Sequence, residues 1–153
     1  MNPLDRITEG RNLPEGCDTW GIKSVHPGLR TRFDFQWPAS GWVAVDEINQ
    51  ENTSPCPSRQ GDGLCVANTW EGMASGGIPA RTLLLVAYSR ADVLGGDDHK
   101  VRVSRACVVE VLDGVSVLAP GDDLRRANLT GADLTGADLT GANLTETTRE
   151  GEQ

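Results

Sequence analysis

The side chains best suited to chemistry are four cysteines and two histidines: Cys17, Cys56, Cys65, Cys107, His26 and His99. Zinc sites usually draw on ligand pairs two to four residues apart, because one turn of chain can then present both to the metal. Cys56 and Cys65 are nine apart and the others stand alone, so no metal site is expected. Cys65 and Cys107 lie in apolar stretches and read as buried structural thiols. A nucleophilic cysteine needs a base that meets it in space. His26 and His99 are the available bases, and His99 sits in a polar turn, Gly95-Gly96-Asp97-Asp98-His99, which does not favour such a pair. The two carboxylates of that turn lack the spacing of a calcium loop. Gly72 to Gly77 is glycine-rich but has no Gly-Lys-Ser/Thr, so a phosphate cradle is not expected. Two glycosylation sequons, at Asn128 and Asn143, are by-products of a repeat described below.

The scaffold for these groups is small. At 153 residues the chain has room for one domain and a short appendage. Its net charge of −8 repels phosphate backbones and anionic lipid, so neither a nucleic acid nor a membrane is expected as partner. Met1 to Asn12 is polar, and the longest apolar run, Leu83 to Ala87, has only strand length. A cytoplasmic location with reduced cysteines is the expectation. Twelve of the 14 cationic side chains are Arg and two are Lys, a bias to which no function is attached at this level.

Alternation predicts the elements. Arg32 to Trp37 places Phe33, Phe35 and Trp37 on one face of a half-buried strand, and Gly41 to Ile48 is a second candidate. Glu51 to Gly63, rich in Pro, Ser and Gly, reads as a long loop. Gly63 to Ala67 is a short buried strand leading to a helix, with Asn68 as cap and Glu71 reaching back to it, ended by Gly76 and Gly77. Ala80 to Tyr88 is apolar enough for the centre of a sheet. Val101 to Asp113 sets Val101, Val103, Cys107, Val109 and Val111 on one face with a break near Arg105, and Val115 to Leu118 adds a last strand. Trp37 and Trp42 flank the Pro38–Gly41 turn, and one of them is a candidate exposed interface anchor.

From Gly121 to Thr145 the pattern changes. Leu124, Leu129, Leu134, Leu139 and Leu144 recur every five residues, and Ala127, Ala132, Ala137 and Ala142 each lie two residues before a leucine. A period of five fits neither a helix nor a flat strand. The stretch resembles the pentapeptide-repeat family, whose motif is Ala-(Asp/Asn)-Leu followed by two variable residues. That resemblance implies a right-handed β-helix in which four pentapeptides make one square turn and Leu and Ala point inward. Five repeats make little more than one turn, and stacked repeats need neighbours, so the coil should dock on its own domain, a second copy or a partner. It is too short for the DNA mimicry of long members of that family. The polar tail from Glu146 to Gln153 is expected to be disordered.

A weaker resemblance covers the order strand, short helix, long strand from Gly63 to Tyr88, which is similar to part of the core of small ADP-ribosyltransferase-like folds. Gly61 to Cys65 is also similar to a run in an uncharacterised phage and bacterial domain. The first resemblance implies a nicotinamide dinucleotide (NAD) as ligand, with Arg30 or His26 as the early motif residue and Glu110 as the late glutamate. None of the three lies in a recognisable family motif, and alternation alone reads Glu110 as a solvent-facing strand position.

The expected fold class is mainly β (α+β): a small antiparallel β domain with one or two short helices, followed by a short pentapeptide-repeat coil. Residues 1–18 form a lead segment, 19–119 the domain, 120–145 the coil and 146–153 the tail. The expected function is a non-enzymatic protein-interaction or assembly module of bacterial or phage origin that docks or self-associates through the coil. An ADP-ribosyltransferase-like enzyme is the alternative, and the favoured reading has no cofactor and no catalytic residue.

Overall fold

The computed structural model describes residues 3–74, 78–113, 121, 140–145 and 147. Strand β1 (Thr19–Val25) is followed by the two-residue strands β2 (Arg30–Thr31) and β3 (Phe35–Gln36), which form a small hairpin. Next come β4 (Gly41–Ala44), β5 (Leu64–Ala67), β6 (Thr82–Tyr88), β7 (Val93–Gly96), β8 (Lys100–Val103) and β9 (Arg105–Asp113). Seven of these make one antiparallel sheet in the order β4-β9-β6-β1-β5-β8-β7. Two short helices accompany them, α1 (Pro3–Ile7) and α2 (Trp70–Ala74). Among the described residues no helix is long and apolar enough to cross a membrane.

The continuous apolar run of β6 is explained by its place. It pairs with β1 on one side and β9 on the other, and Leu83 to Tyr88 are all buried. Leu83 and Leu85 enter one core with Leu4, Ile22, Trp70 and Met73. Leu84, Val86 and Tyr88 enter a second core with Trp37, Val66, Val103 and Val108. A strand with both faces covered has no polar face to alternate with.

The sheet rolls on itself. Ser104 joins β8 to β9, its carbonyl accepts from Val45 N at 3.0 Å, just past β4, and its own N donates to Asp92 O at 3.1 Å, just before β7. The two edge strands therefore meet at one residue, and the second core fills the inside of a partly closed barrel. The first core lies outside the barrel, under α1 and α2. Leu4 of α1 is buried there, so the lead segment packs as part of the domain.

Several expected elements differ. The strand over Arg32 to Trp37 is shortened, because Phe33 (φ 62°) and Asp34 (φ 56°) adopt left-handed backbone and close a 3-10 turn. Phe33 is thus thrown outward under the Arg32 guanidinium, 4.8 Å from its ring centroid, while Phe35 and Trp37 still meet edge to face at 5.9 Å. The Gly41 to Ile48 strand stops at Ala44. The helix cap is Thr69, whose Oγ1 accepts from Gly72 N at 3.0 Å; Asn68 instead accepts from the Tyr88 hydroxyl at 2.7 Å. The strand break falls at Ser104, beside Arg105 as expected, but the valine face does not continue through it. A β-bulge pairs Leu85 with Glu110 and Val86 with Val108, leaving Val109 as the extra residue. Ala106 and Val108 therefore enter the inner core, Val109 and Leu112 pack on the outer one, and Val111 is exposed. The expected helix stop at Gly76 and Gly77 and the strand from Val115 to Leu118 lie outside the described residues.

Candidate functional site

The loop between β4 and β5 is long and polar, so its backbone needs partners. Asp62 supplies them. One carboxylate oxygen accepts from Asn49 N at 2.7 Å, the other from Asn52 Nδ2 at 2.8 Å, Ser58 N at 2.8 Å and Ser58 Oγ at 2.6 Å. Arg102 of β8 closes an ion pair with Asp62 at 2.7 Å, and both side chains are fully buried. The guanidinium also donates to the carbonyls of Asp62, Asn52 and Ser54. Burial would push the Asp62 carboxyl up, but the hydrogen bonds from Ser58, Asn49 and Asn52 outweigh it and hold the group well below the usual carboxylate range. Gly63 makes room for this pair: a Cβ there would lie 2.5 Å from Arg102 Cγ.

The pinned loop forms one wall of a cavity of about 150 Å³ whose other walls come from β1, β5 and the β2–β3 hairpin. Two thiols and two amines converge in it: Cys56 from the loop, Cys65 from β5, Lys23 from β1 and Lys100 from β8. Lys100 pairs with Ala67, and Cys65 pairs with Arg102, so Lys100 and Cys65 are diagonal neighbours on one face. Lys100 Nζ lies 3.4 Å from Cys56 Sγ, and Lys23 Nζ lies 5.7 Å from the centroid of a Trp37 ring. Arg32 and Arg59 line the same space, and among the described lining residues none is Asp or Glu. These two lysines are the only ones in the sequence.

The surroundings split the two thiols. The hydrogen bond with Cys65 lowers the Cys56 thiol well below its ordinary range against the opposing effect of burial, and Lys100 and Lys23 lower it further. Cys65 is raised, by that same contact and by burial. Lys23 is lowered, chiefly because burial penalises its charge. Cys56 is the member of the pair that ionises first and is the better nucleophile. Cys17 and Cys107 are both raised, mainly by burial, and so stay as neutral thiols. All four cysteines are free and half-buried; Cys65 and Cys107 are thus not fully enclosed, and Cys65 faces a cavity. Neither His26 nor His99 lines it. Among the described residues no three His, Cys, Asp or Glu side chains group as metal ligands would.

The residues singled out for the alternative enzyme lie elsewhere. Arg30, on the β2–β3 hairpin, pairs with Asp34 at 3.0 Å, and His26 forms a bridge with Arg30 at the same exposed hairpin. Glu110, on β9, pairs with Arg11 at 2.6 Å. None of the three lines the cavity. Trp37 is 1% exposed and belongs to the core, with its indole Nε1 donating to Thr31 Oγ1 at 3.0 Å. Trp42 is 45% exposed, with the Arg105 guanidinium 4.8 Å from its ring centroid. Of the two tryptophans, Trp42 is the one at the surface.

The described residues of the repeat stretch bring positions 121 and 140–141 together. Gly121 N donates to Thr140 O at 2.9 Å, and a Cβ on Gly141 would lie 3.9 Å from the Gly121 Cα. Residues 121 and 141, twenty apart or four pentapeptides in sequence, thus lie side by side. Ala142 and Leu144 pack against the outer core of the β domain, as Ile7 and Trp20 do. Thr147, in the expected tail, bonds back to the Leu144 carbonyl through N at 3.1 Å and through Oγ1 at 2.9 Å. Leu124, Leu129, Leu134, Leu139, Ala127, Ala132 and Ala137 lie outside the described residues.

Residues 123–150 match a family model described as pentapeptide repeats (8 copies). Repeats of this family typically serve as protein-interaction or structural modules. No curated protein matches the chain. No solved structure matches it either.

Proposed function

We propose that the protein is an interaction or assembly module in which a rolled β domain carries a pentapeptide coil as a fixed docking surface for a partner protein or a second copy of the chain. The seating of Ala142 and Leu144 on the outer core carries this reading. A coil anchored to its own domain at Ala142 and Leu144 would leave a partner less of the entropy of ordering to supply. Coils of this kind end in rows of backbone N–H and C=O groups, which can accept another coil or strand.

Native mass spectrometry of the full chain and of Leu134→Arg tests the reading, with circular dichroism to check that the β domain is retained. The expected result is a multimer, or a stoichiometric complex with a partner protein, that is lost in the variant. A chain that is monomeric and partner-free in both forms, with Leu134→Arg unchanged in every respect, overturns it.

A further inference from the structure

We propose that the cavity holding Cys56 and Cys65 is a thiol–disulfide exchange site for an anionic low-molecular-weight disulfide of the glutathione class. This goes beyond the docking role of the coil and is independent of it. Cys56 and Cys65 come from a loop and a strand, yet face one space together with both lysines of the chain. Lys100 Nζ is 3.4 Å from Cys56 Sγ, where it stabilises a thiolate. Arg32 and Arg59 add positive charge, and no described lining residue is a carboxylate. In a protein of net charge −8 such a spot is a local inversion of sign, which concentrates anions that the rest of the surface repels. Phe33, Phe35 and Trp37 give the cavity an apolar side.

The exchange balances without any further reagent. The Cys56 thiolate attacks one sulfur of the disulfide RSSR, forming a Cys56–S–S–R bond while the S–S bond of RSSR breaks, and the released RS⁻ takes a proton to become RSH. Cys65 then loses its proton and attacks the Cys56 sulfur, closing a Cys56–Cys65 disulfide and releasing the second RSH. Two protein thiols are oxidised by two electrons, and one external disulfide is reduced to two thiols. The raised Cys65 thiol suits the second step, since it stays protonated until the mixed disulfide has formed. Asp62, pinned to Arg102, fixes the loop that carries Cys56 and so keeps the two sulfurs in the same cavity.

The test treats the reduced full chain with oxidised glutathione at neutral pH and follows intact mass and the disulfide-linked peptides. The expected product is a Cys56–Cys65 disulfide with Cys17 and Cys107 still free. Cys65→Ala should stop at a glutathione adduct on Cys56, and Cys56→Ala should leave Cys65 unmodified over the same time. The rate of adduct formation should already be level at neutral pH, where an ordinary thiol is still rising. Cystamine, a cationic disulfide, should react about tenfold or more slowly than oxidised glutathione. Reaction of Cys56 no faster than that of Cys17 and Cys107 overturns the proposal, as does a Cys65→Ala variant that folds but forms no adduct. Equal rates for the cationic and anionic disulfides overturn the anion selectivity.

Discussion

Replacing Asp62 by Asn tests whether one buried carboxylate organises the loop between β4 and β5. The carboxylate takes four hydrogen bonds from the loop and one charged bond from Arg102, all between 2.6 and 2.8 Å. An amide in the same place has one oxygen, so its NH₂ must face either the donors of Asn52 and Ser58 or those of Asn49 and Arg102. In both orientations the fully buried Arg102 loses its counter-charge and keeps only neutral carbonyl acceptors. Breaking a buried pair by removing one partner costs roughly 3–5 kcal/mol. That is a large part of the 5–15 kcal/mol that typically separates folded from unfolded chains. Urea unfolding at pH 7, with the slope checked for constancy, gives the difference directly. The double variant Asp62→Asn with Arg102→Met should recover part of the loss, because the uncompensated charge is gone. A loss below about 1 kcal/mol in Asp62→Asn, with no coupling between the two sites, would refute this account of the loop.

The same carboxylate predicts acid sensitivity. Its folded pKa is depressed, so its stabilisation is complete above the unfolded value near 4 and is lost as pH falls from there toward the lower folded value; urea midpoints measured from pH 6 to pH 3 should drop, and less so in Asp62→Asn. Gly72→Ala would place a Cβ 2.2 Å from the His99 carbonyl oxygen, forcing α2 off the turn before β8. It should lower the thermal midpoint, with a cost on the order of 1–3 kcal/mol. Leu144→Ala strips the outer core of its coil contact and should destabilise the β domain itself, by roughly 1–2 kcal/mol in urea unfolding given its partial burial. Trp42→Ala at the exposed strand β4 should cost no more than about 1 kcal/mol, the scale of its stacking with Arg105.

What could be read in advance depended on whether the signal was local. The five-residue leucine register, the buried run of β6 and the polar loop before β5 are local patterns; the first named its repeat family and the other two named their elements. Phe33 was misread because nothing in its neighbours announces a left-handed residue, and alternation counts it as one more inward aromatic. The face of β9 was misread because one bulge at Val109 shifts the phase, and the bulge belongs to the pairing with β6. The thiol pair was missed for a different reason. Cys56 and Cys65 lack metal-ligand spacing, and Lys23 and Lys100 are 77 residues apart, so only the sheet order and the Asp62 anchor bring them together. The signal that could have raised the question was compositional: two lysines among fourteen cations, later found in the same cavity.

The joint at Ser104 bears on the fate of the protein at high concentration. Strand edges are where chains add to one another without control, and a seven-stranded sheet ordinarily offers two of them. Here both edge strands are four residues long and are drawn toward the same residue. Such a domain gives a neighbouring copy little backbone to recruit, which is a protection against aggregation written into the closure of the fold. Pairing between chains is thereby steered away from the barrel, and a designer wishing to fuse or display this domain would leave Ser104 and its two bonds untouched.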